Sequence, residues 1–326
     1  MTASTGGTGG TGGTGGTGGT GRTVSVRDAG AGAGAGTGAD ESAGGRTAAV
    51  VVNYESGLAL ARCVADLRNA GLAELVVVDN GSLDGSLAAA EAAVSEVAVV
   101  SPGRNLGYGS AANRGASASS APLILICNPD LEVPLGAVTA LVAALDADPG
   151  CALVGPLIRN ASGERYPSAR RFPSMVDAAG HALLGIFAPD NRFTRSYQQT
   201  DLDESGTATR TVDWVSGACF LVRRSAFESI GGFDESYFMY AEDVDLCWRI
   251  ARSGWSVAYV PAAEVTHLQG LSTDLHPYRM ILEHHRSLVR FAGRSSTGWR
   301  RVLLPLVAVG VAVRTALACL ARLTRS

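Results

Sequence analysis

Leu75-Val-Val-Val-Asp-Asn-Gly-Ser82 holds four apolar residues, then at once an acid, an amide and a glycine. A short apolar run without polar alternation suits a strand buried on both faces, as in a parallel sheet. The sudden change to Asp79-Asn-Gly81 reads as the turn that ends it. The same pattern recurs on both sides. Ala48-Ala-Val-Val-Val52 runs into Asn53-Tyr-Glu-Ser56, Val97–Val100 leads to Asn105-Leu-Gly107, and Leu123-Ile-Leu-Ile-Cys127 runs into Asn128-Pro-Asp130. Between them lie stretches of helical length: residues 58–70, closed by Gly71, residues 86–94 and residues 108–117. Strands alternating with helices at this spacing predict an α/β fold with a parallel, doubly wound sheet.

An open α/β sheet binds its ligand at the carboxyl ends of its strands. Asn53, Glu55, Asp79, Asn105, Asn128 and Asp130 follow strand ends and are expected to converge on one crevice. Each alone reads as a turn residue or helix cap. Four strand ends that all carry Asn or Asp favour a site. No G-x-G-x-x-G follows the first strand, and the chain has no lysine, so a nicotinamide dehydrogenase and a P-loop enzyme are excluded.

The second half is less regular. A helix is expected over residues 135–146, a strand over 152–155, and loops over 159–210, which are rich in Arg, Ser, Pro and Asp. Val212 to Val222 reads as one strand-like run, and a helix from Ser225 breaks at Gly231-Gly232. Tyr240-Ala-Glu-Asp-Val-Asp245 opens a helix that runs to Ser253, and a strand over 257–260 precedes His267. Acids in a first helical turn are favoured by the helix dipole, so capping is the ordinary explanation of this cluster. On a helix, however, Glu242 and Asp245 share a face while Asp243 points elsewhere. One carboxylate can then serve a crevice as a base, a role that contributes a factor of roughly 10²–10⁴. A cluster that only binds metal is the rival reading. Asp130, behind Pro129 at the end of a buried strand, fits as an oxygen ligand for Mg²⁺ or Mn²⁺, and His267 would add an imidazole.

The 326 residues, 46% hydrophobic, suffice for one large α/β domain with an appendage. Residues 1–45 are Gly/Thr and then Ala/Gly repeats, expected to be a disordered tail, with ordered structure from Thr47 and the domain over 46–275. A net charge of −3 gives no basic field for nucleic acid. Six cysteines without a CxxC pair, and no secretory signal pattern, suit a reduced cytosolic protein with buried thiols. Residues 276–326 carry nine arginines against Glu283, around the apolar run Val302 to Val313. That run falls short of the roughly 20 residues that span a bilayer. It predicts an arginine-flanked helix at a membrane surface, or a core helix packed on the domain.

From Val50 to Ser272 the chain resembles the family 2 inverting glycosyltransferases of the GT-A fold, a Rossmann-like, mostly parallel sheet flanked by helices. Within that family it is similar to the rhamnosyltransferase-like branch. Carrying the resemblance are Val51-Val-Asn-Tyr54, Val77-Val-Asp-Asn-Gly-Ser82, Asn105-Leu-Gly-Tyr-Gly109 with Asn113, and Asn128-Pro-Asp130. Trp214-Val-Ser-Gly-Ala218, Gly232-Phe-Asp-Glu235, Phe238 to Leu246 and His267 complete it, with a C-terminal helical appendage beyond. The resemblance implies a nucleotide-diphosphate sugar as donor, with Asn53, Glu55 and Asp79 on its base and ribose and Asn105 and Asn128 on the same side. It implies Asp130 as the metal ligand of the family's Asp-x-Asp motif, His267 as a further ligand, and Mg²⁺ or Mn²⁺ as cofactor. Asp243 would be the catalytic base, with Trp214, Gly217 and Glu242 on the acceptor side. The first motif position is Asn128 here, which carries no charge, so the metal would lean on Asp130, His267 and the substrate phosphates. The branch points to dTDP-L-rhamnose as donor and to a glycan or polyprenyl-diphosphate-linked sugar as acceptor in cell-envelope assembly. That work would be done in the cytoplasm at the inner face of the plasma membrane, and a homodimer is compatible with it. Two alternatives stand beside this. A sugar nucleotidyltransferase would need a glycine-rich loop with a basic residue after the first strand, which Asn53-Tyr-Glu-Ser56 is not. A non-catalytic nucleotide-sugar-binding protein would have no use for a base.

Overall fold

The computed structural model of the protein describes residues 43–172, 208–268 and 277–323. Its first half alternates as the apolar runs require: β1 (Thr47–Asn53), α1 (Ala59–Asn69), β2 (Glu74–Asp79), α2 (Ser86–Ala93), β3 (Val97–Val100), α3 (Tyr108–Ser117) and β4 (Leu123–Cys127). These four strands lie parallel in the order β3-β2-β1-β4, with Asn53 beside Asp79. Every residue of β1 is buried, because both faces of the sheet are covered. Ala49 and Val51 join Leu60, Val64 and Leu67 of α1 in one apolar layer. Val50 and Val52 point the other way, into a layer with Ala111 and Ala112 of α3.

The second half departs from the expected pattern. Further on come β5 (Leu131–Glu132), α4 (Ala137–Ala147), β6 (Cys151–Asn160), β7 (Arg165–Tyr166) and β8 (Ala169–Arg170). Part of the stretch expected to be loops is therefore a hairpin. The Asn160 side-chain oxygen accepts N–H groups from Ser162 and Glu164 and turns β6 into β7. A hairpin built on polar residues has no apolar alternation to reveal it. Residues 173–207, also expected to be loops, lie outside the described residues.

Val212 to Val222 is not one strand. β9 (Arg210–Val212), β10 (Trp214–Val215) and β11 (Cys219–Arg223) have different partners. β9 pairs with β12 (Ser256–His267), β10 pairs with β8, and β11 enters the main sheet antiparallel between β4 and β6. The sheet order β3-β2-β1-β4-β11-β6-β12-β5 is thus mixed, its parallel part interrupted by β11. α5 (Arg224–Ser229) and α6 (Glu242–Arg252) follow β11. β12 is much longer than the strand expected over 257–260. Its pairing with β6 breaks between Val260 and Glu264 and then resumes as far as His267. A bulge at Pro261 hides that continuation from the sequence.

At the ends, two expectations change. Ala43–Gly45 form a helical turn with Ala43 in the core, so order begins ahead of Thr47; the rest of the expected tail, residues 1–42, lies outside the described residues. Past α7 (Pro277–Ser295) and a 3₁₀ turn (Gly298–Leu303), α8 (Leu304–Leu323) is a single helix of 20 residues. The helical stretch Arg301–Leu320, with Arg314 inside it, is long and apolar enough to cross a membrane by length and composition, although the uninterrupted run Val302 to Val313 is shorter. Pro305 sits in the first turn, where its missing N–H has no helical partner to lose. The same stretch is not buried in the protein, which removes the core-helix reading.

Candidate active site

The antiparallel entry of β11 builds the site. It brings the start of β11 to the carboxyl end of β4, where the Asn128 N–H donates to the Ala218 carbonyl at 2.9 Å. Into the same corner comes the first turn of α6. The residues ahead of it, Tyr240 and Ala241, both hold left-handed backbones, at φ 68° and 61°. Such strain costs about 1–3 kcal/mol per residue and tends to persist at functional sites. It turns the chain so that Glu242 and Asp243 both line the crevice.

Asp243 is fixed by its backbone surroundings. One carboxylate oxygen accepts the Gly217 N–H at 2.8 Å, and the other accepts the Val244 N–H at 2.8 Å. A Cβ on residue 217 would sit 3.2 Å from the Cβ of Asp243, so glycine permits this approach. The Tyr108 hydroxyl donates to the Gly217 carbonyl at 2.5 Å and holds the loop from the other side. Burial raises the Asp243 carboxyl above its usual range, and the two N–H groups and the Arg170 charge oppose that rise. Glu242 is also buried, and among the described residues its Oε2 has no hydrogen-bond partner. Burial, then the Asp243 charge, pushes its carboxyl up to about 8. Of two adjacent carboxyls, the one with two N–H donors keeps the charge and the one without holds the proton.

Asp245 has a different part. It is fully buried, 2.7 Å from Arg249 and 3.1 Å from Arg294 of α7. The expected grouping of Glu242 with Asp245 is therefore replaced by Glu242 with Asp243. The crevice wraps around the helix end, so the first two residues both reach it.

On the opposite wall, β5 pairs with the end of β12, which sets His267 across from Leu131 and lets the Leu268 N–H donate to the Asp130 carbonyl. His267 Nε2 then lies 3.0 Å from Asp130 Oδ1 and 3.1 Å from the Asn128 amide. The described residues contain no group of three Asp, Glu, His or Cys able to hold a metal. They do offer a carboxylate and an imidazole, with an amide oxygen if the Asn128 amide is turned. That donor set fits a divalent cation whose remaining positions are filled by water and substrate phosphates.

The crevice holds about 540 Å³, a volume suited to a small-molecule ligand. Asn105, Asn128, Asp130, Trp214, Gly217, Glu242, Asp243 and His267 line it, as the sequence reading expected them to. Asn53, Glu55 and Asp79 do not. The Asn53 amide donates to Asp79, Ser82 and Ser86 and accepts from Ser56, while Glu55 accepts the Leu83 N–H. They tie the strand-end loops together, and Tyr54, Ser56 and Asn80 face the crevice in their place. Asn80 links the loops too, through Asn105 and the Leu106 N–H. Arg170 is the residue that sequence reasoning missed. Its guanidinium stacks 5.1 Å from the Trp214 ring centre, at the crevice and near Asp243. Nothing in Ser168-Ala-Arg-Arg171 distinguishes it from the other arginines of a polar stretch.

The family model for glycosyl transferase family 2 matches residues 48–231. An N-acetylglucosaminyl-diphospho-decaprenol L-rhamnosyltransferase of Mycobacterium tuberculosis is 41% identical over 268 residues, covering 78% of this chain and 86% of its own. A rhamnosyltransferase, WbbL, of Escherichia coli K12 is 38% identical over 128 residues, 39% of this chain and 44% of its own. Among solved structures, a mannosyltransferase of Pyrobaculum calidifontis in complex with GDP-Man and Mn²⁺ superposes with a TM-score of 0.55 at 18% identity. It covers 85% of this chain and 75% of its own, and bears on the fold alone.

Proposed function

The chain belongs to glycosyl transferase family 2, and from that premise we propose that it moves L-rhamnose from a nucleoside diphosphate to a hydroxyl of a polyprenyl-diphosphate-linked sugar. The observation that carries this reading is Asp243: a half-buried carboxylate at a crevice wall, fixed by two backbone N–H groups beside a second carboxyl that holds the proton. In the reaction Asp243 takes the acceptor proton as the hydroxyl attacks the anomeric carbon, and the diphosphate leaves on the opposite face with inversion. Trp214 and Gly217 frame the acceptor side, and Glu242 offers it a neutral carboxyl to hydrogen-bond. Tyr54, Ser56, Asn80 and Asn105 face the nucleotide, held in place by Asn53, Glu55 and Asp79 behind them.

Asp130 and His267, with the Asn128 amide, would hold Mg²⁺ or Mn²⁺. A cation there supplies positive charge to a departing diphosphate. Arg170 and Arg279, both at the crevice, add to that positive charge. The sugar and acceptor come from the Mycobacterium tuberculosis relative, whose name states both and whose likeness spans most of each chain. A nucleotide sugar and a lipid-linked acceptor meet at the cytoplasmic face of the membrane, which we take as the site of action. To test this, the purified chain is given a panel of nucleotide sugars with N-acetylglucosaminyl-diphospho-polyprenol. Product is expected with dTDP-L-rhamnose. Transfer of another sugar, with none of rhamnose, would overturn the donor assignment and leave the family intact.

A further inference from the structure

Helix α8 presents its apolar side to the outside. Leu306, Val309, Val313, Leu317 and Leu320 are each at least half exposed, and their spacing of three and four residues lines them along one face. The face towards α7 is half-buried and carries the helix's interior polar residues, Arg314 and Thr315. Burial holds the His284 ring of α7 neutral, with the neighbouring His285 and then Arg314 adding to it, so Arg314 stands close to α7. A helix on a water-facing surface has the opposite arrangement. So long an exposed apolar stripe marks a contact surface.

We propose that this stripe lies in the plane of an anionic lipid bilayer, with α8 at the level of the headgroups and acyl boundary. Charge complementarity supports this occupant. Residues 277–323 carry eight arginines and one glutamate in a chain whose net charge is −3. Arg301 and Arg322 are exposed at the two ends of the stripe, and Arg286 and Arg290 are exposed on α7; basic residues near an anionic surface add to its attraction. Trp299, at the entry to the helix, is exposed as an interfacial anchor would be. A spanning helix would instead carry the charged Arg314 into the hydrocarbon, where an arginine is costly. A symmetric pairing of two copies through the stripe would bring the arginine rims together.

This placement sets the crevice beside the membrane. α7 packs on the domain through His285, Ser287 and Phe291, and the same helix lines the crevice with Met280, His284 and Leu288. A headgroup-linked sugar could then enter without leaving the lipid surface. The purpose rests on the lipid-linked acceptor proposed above, whereas the binding itself needs neither donor nor acceptor.

Full-length protein is floated with vesicles of phosphatidylcholine, with and without phosphatidylglycerol. Binding is expected with the anionic vesicles and weakens in high salt. The combined variant Leu306→Asp, Val313→Asp and Leu317→Asp is expected to lose binding by tenfold or more while keeping its melting temperature. Arg286→Gln with Arg322→Gln should weaken binding several-fold. Trp299→Phe should abolish a vesicle-induced blue shift that the wild type shows. Equal flotation of wild type and the aspartate variant overturns the proposal. So does a lipid-free dimer that the aspartates dissociate, since a second copy would then be the occupant. Resistance to alkaline carbonate extraction overturns the in-plane arrangement in favour of a spanning one.

Discussion

In the proposed reaction two neighbouring carboxyls divide the chemistry between them. Asp243 holds its charge through the Gly217 and Val244 N–H groups, and Glu242 has no such donor on Oε2 among the described residues. Asp243→Asn keeps the shape and removes the base. Transfer is expected to fall by roughly 10²–10⁴, with donor binding unchanged by calorimetry; near-normal turnover would refute the assignment. Glu242 has a measurable effect on stability. Its carboxyl rises from 4.5 to about 8 on folding, so the proton is bound more tightly in the folded state. Below the unfolded value both states are protonated and nothing is lost. As pH rises the unfolded chain ionises first, so stability falls until about 8 and then levels off. Glu242→Gln removes that dependence, and its melting temperature should drop less than the wild type's between pH 6 and 9. Asp130, Asn128, His267 and Asp243 were all legible as strand-end or helix-start polar residues in an α/β pattern. What was not legible is that Asn53 donates to Asp79 and to the serines of the neighbouring loop, because hydrogen-bond partners in separate loops have no sequence spacing.

Elements locate these residues, and one clamp sets α6. Asp245, with no solvent exposure, is held between Arg249 of its own helix and Arg294 of α7. Removing one partner of a buried pair leaves charge uncompensated and costs about 3–5 kcal/mol. Asp245→Ala should therefore lower the denaturant midpoint by a stability loss of that order. Because α6 carries Asp243, the same variant should lose transfer at temperatures where it is still folded. A midpoint within experimental error of the wild type would show that the clamp is dispensable. β1, β2 and β4 were readable because both their faces are buried, which gives unbroken apolar runs. β10 and β11 were merged in the sequence reading because Trp214 to Val222 is apolar or small apart from Ser216. Only the backbone shows the break. There the Ser216 N–H goes to Ser168 and the Ala218 carbonyl to Asn128, on two different strand systems.

Across the whole molecule, the two ends of the reaction would come from different phases. A nucleotide-sugar donor is water-soluble and would meet the polar strand ends, while the acceptor would come from the lipid beside α7 and α8. The sequence showed only the uninterrupted apolar run Val302 to Val313, whereas α8 continues through Arg314 to Leu323 with that charge near His284 of α7. This arrangement predicts how activity depends on the form of the acceptor. With a long-chain acceptor embedded in anionic vesicles, the α8 stripe concentrates enzyme where the substrate is. Full burial of one such side chain is worth about 1.5–3 kcal/mol, so even partial burial of three means that the aspartates should cut kcat/KM by at least about tenfold. With a short-chain, water-soluble acceptor the same variant should match the wild type within about twofold, since no stripe residue lines the crevice. Chelation separates this effect from the chemistry. Excess EDTA should abolish transfer to both acceptors alike, and Mn²⁺ or Mg²⁺ should restore it. An equal loss on both acceptors in the stripe variant would mean damage to the catalytic unit. No loss on either would mean that the crevice reaches its acceptor without help from α8.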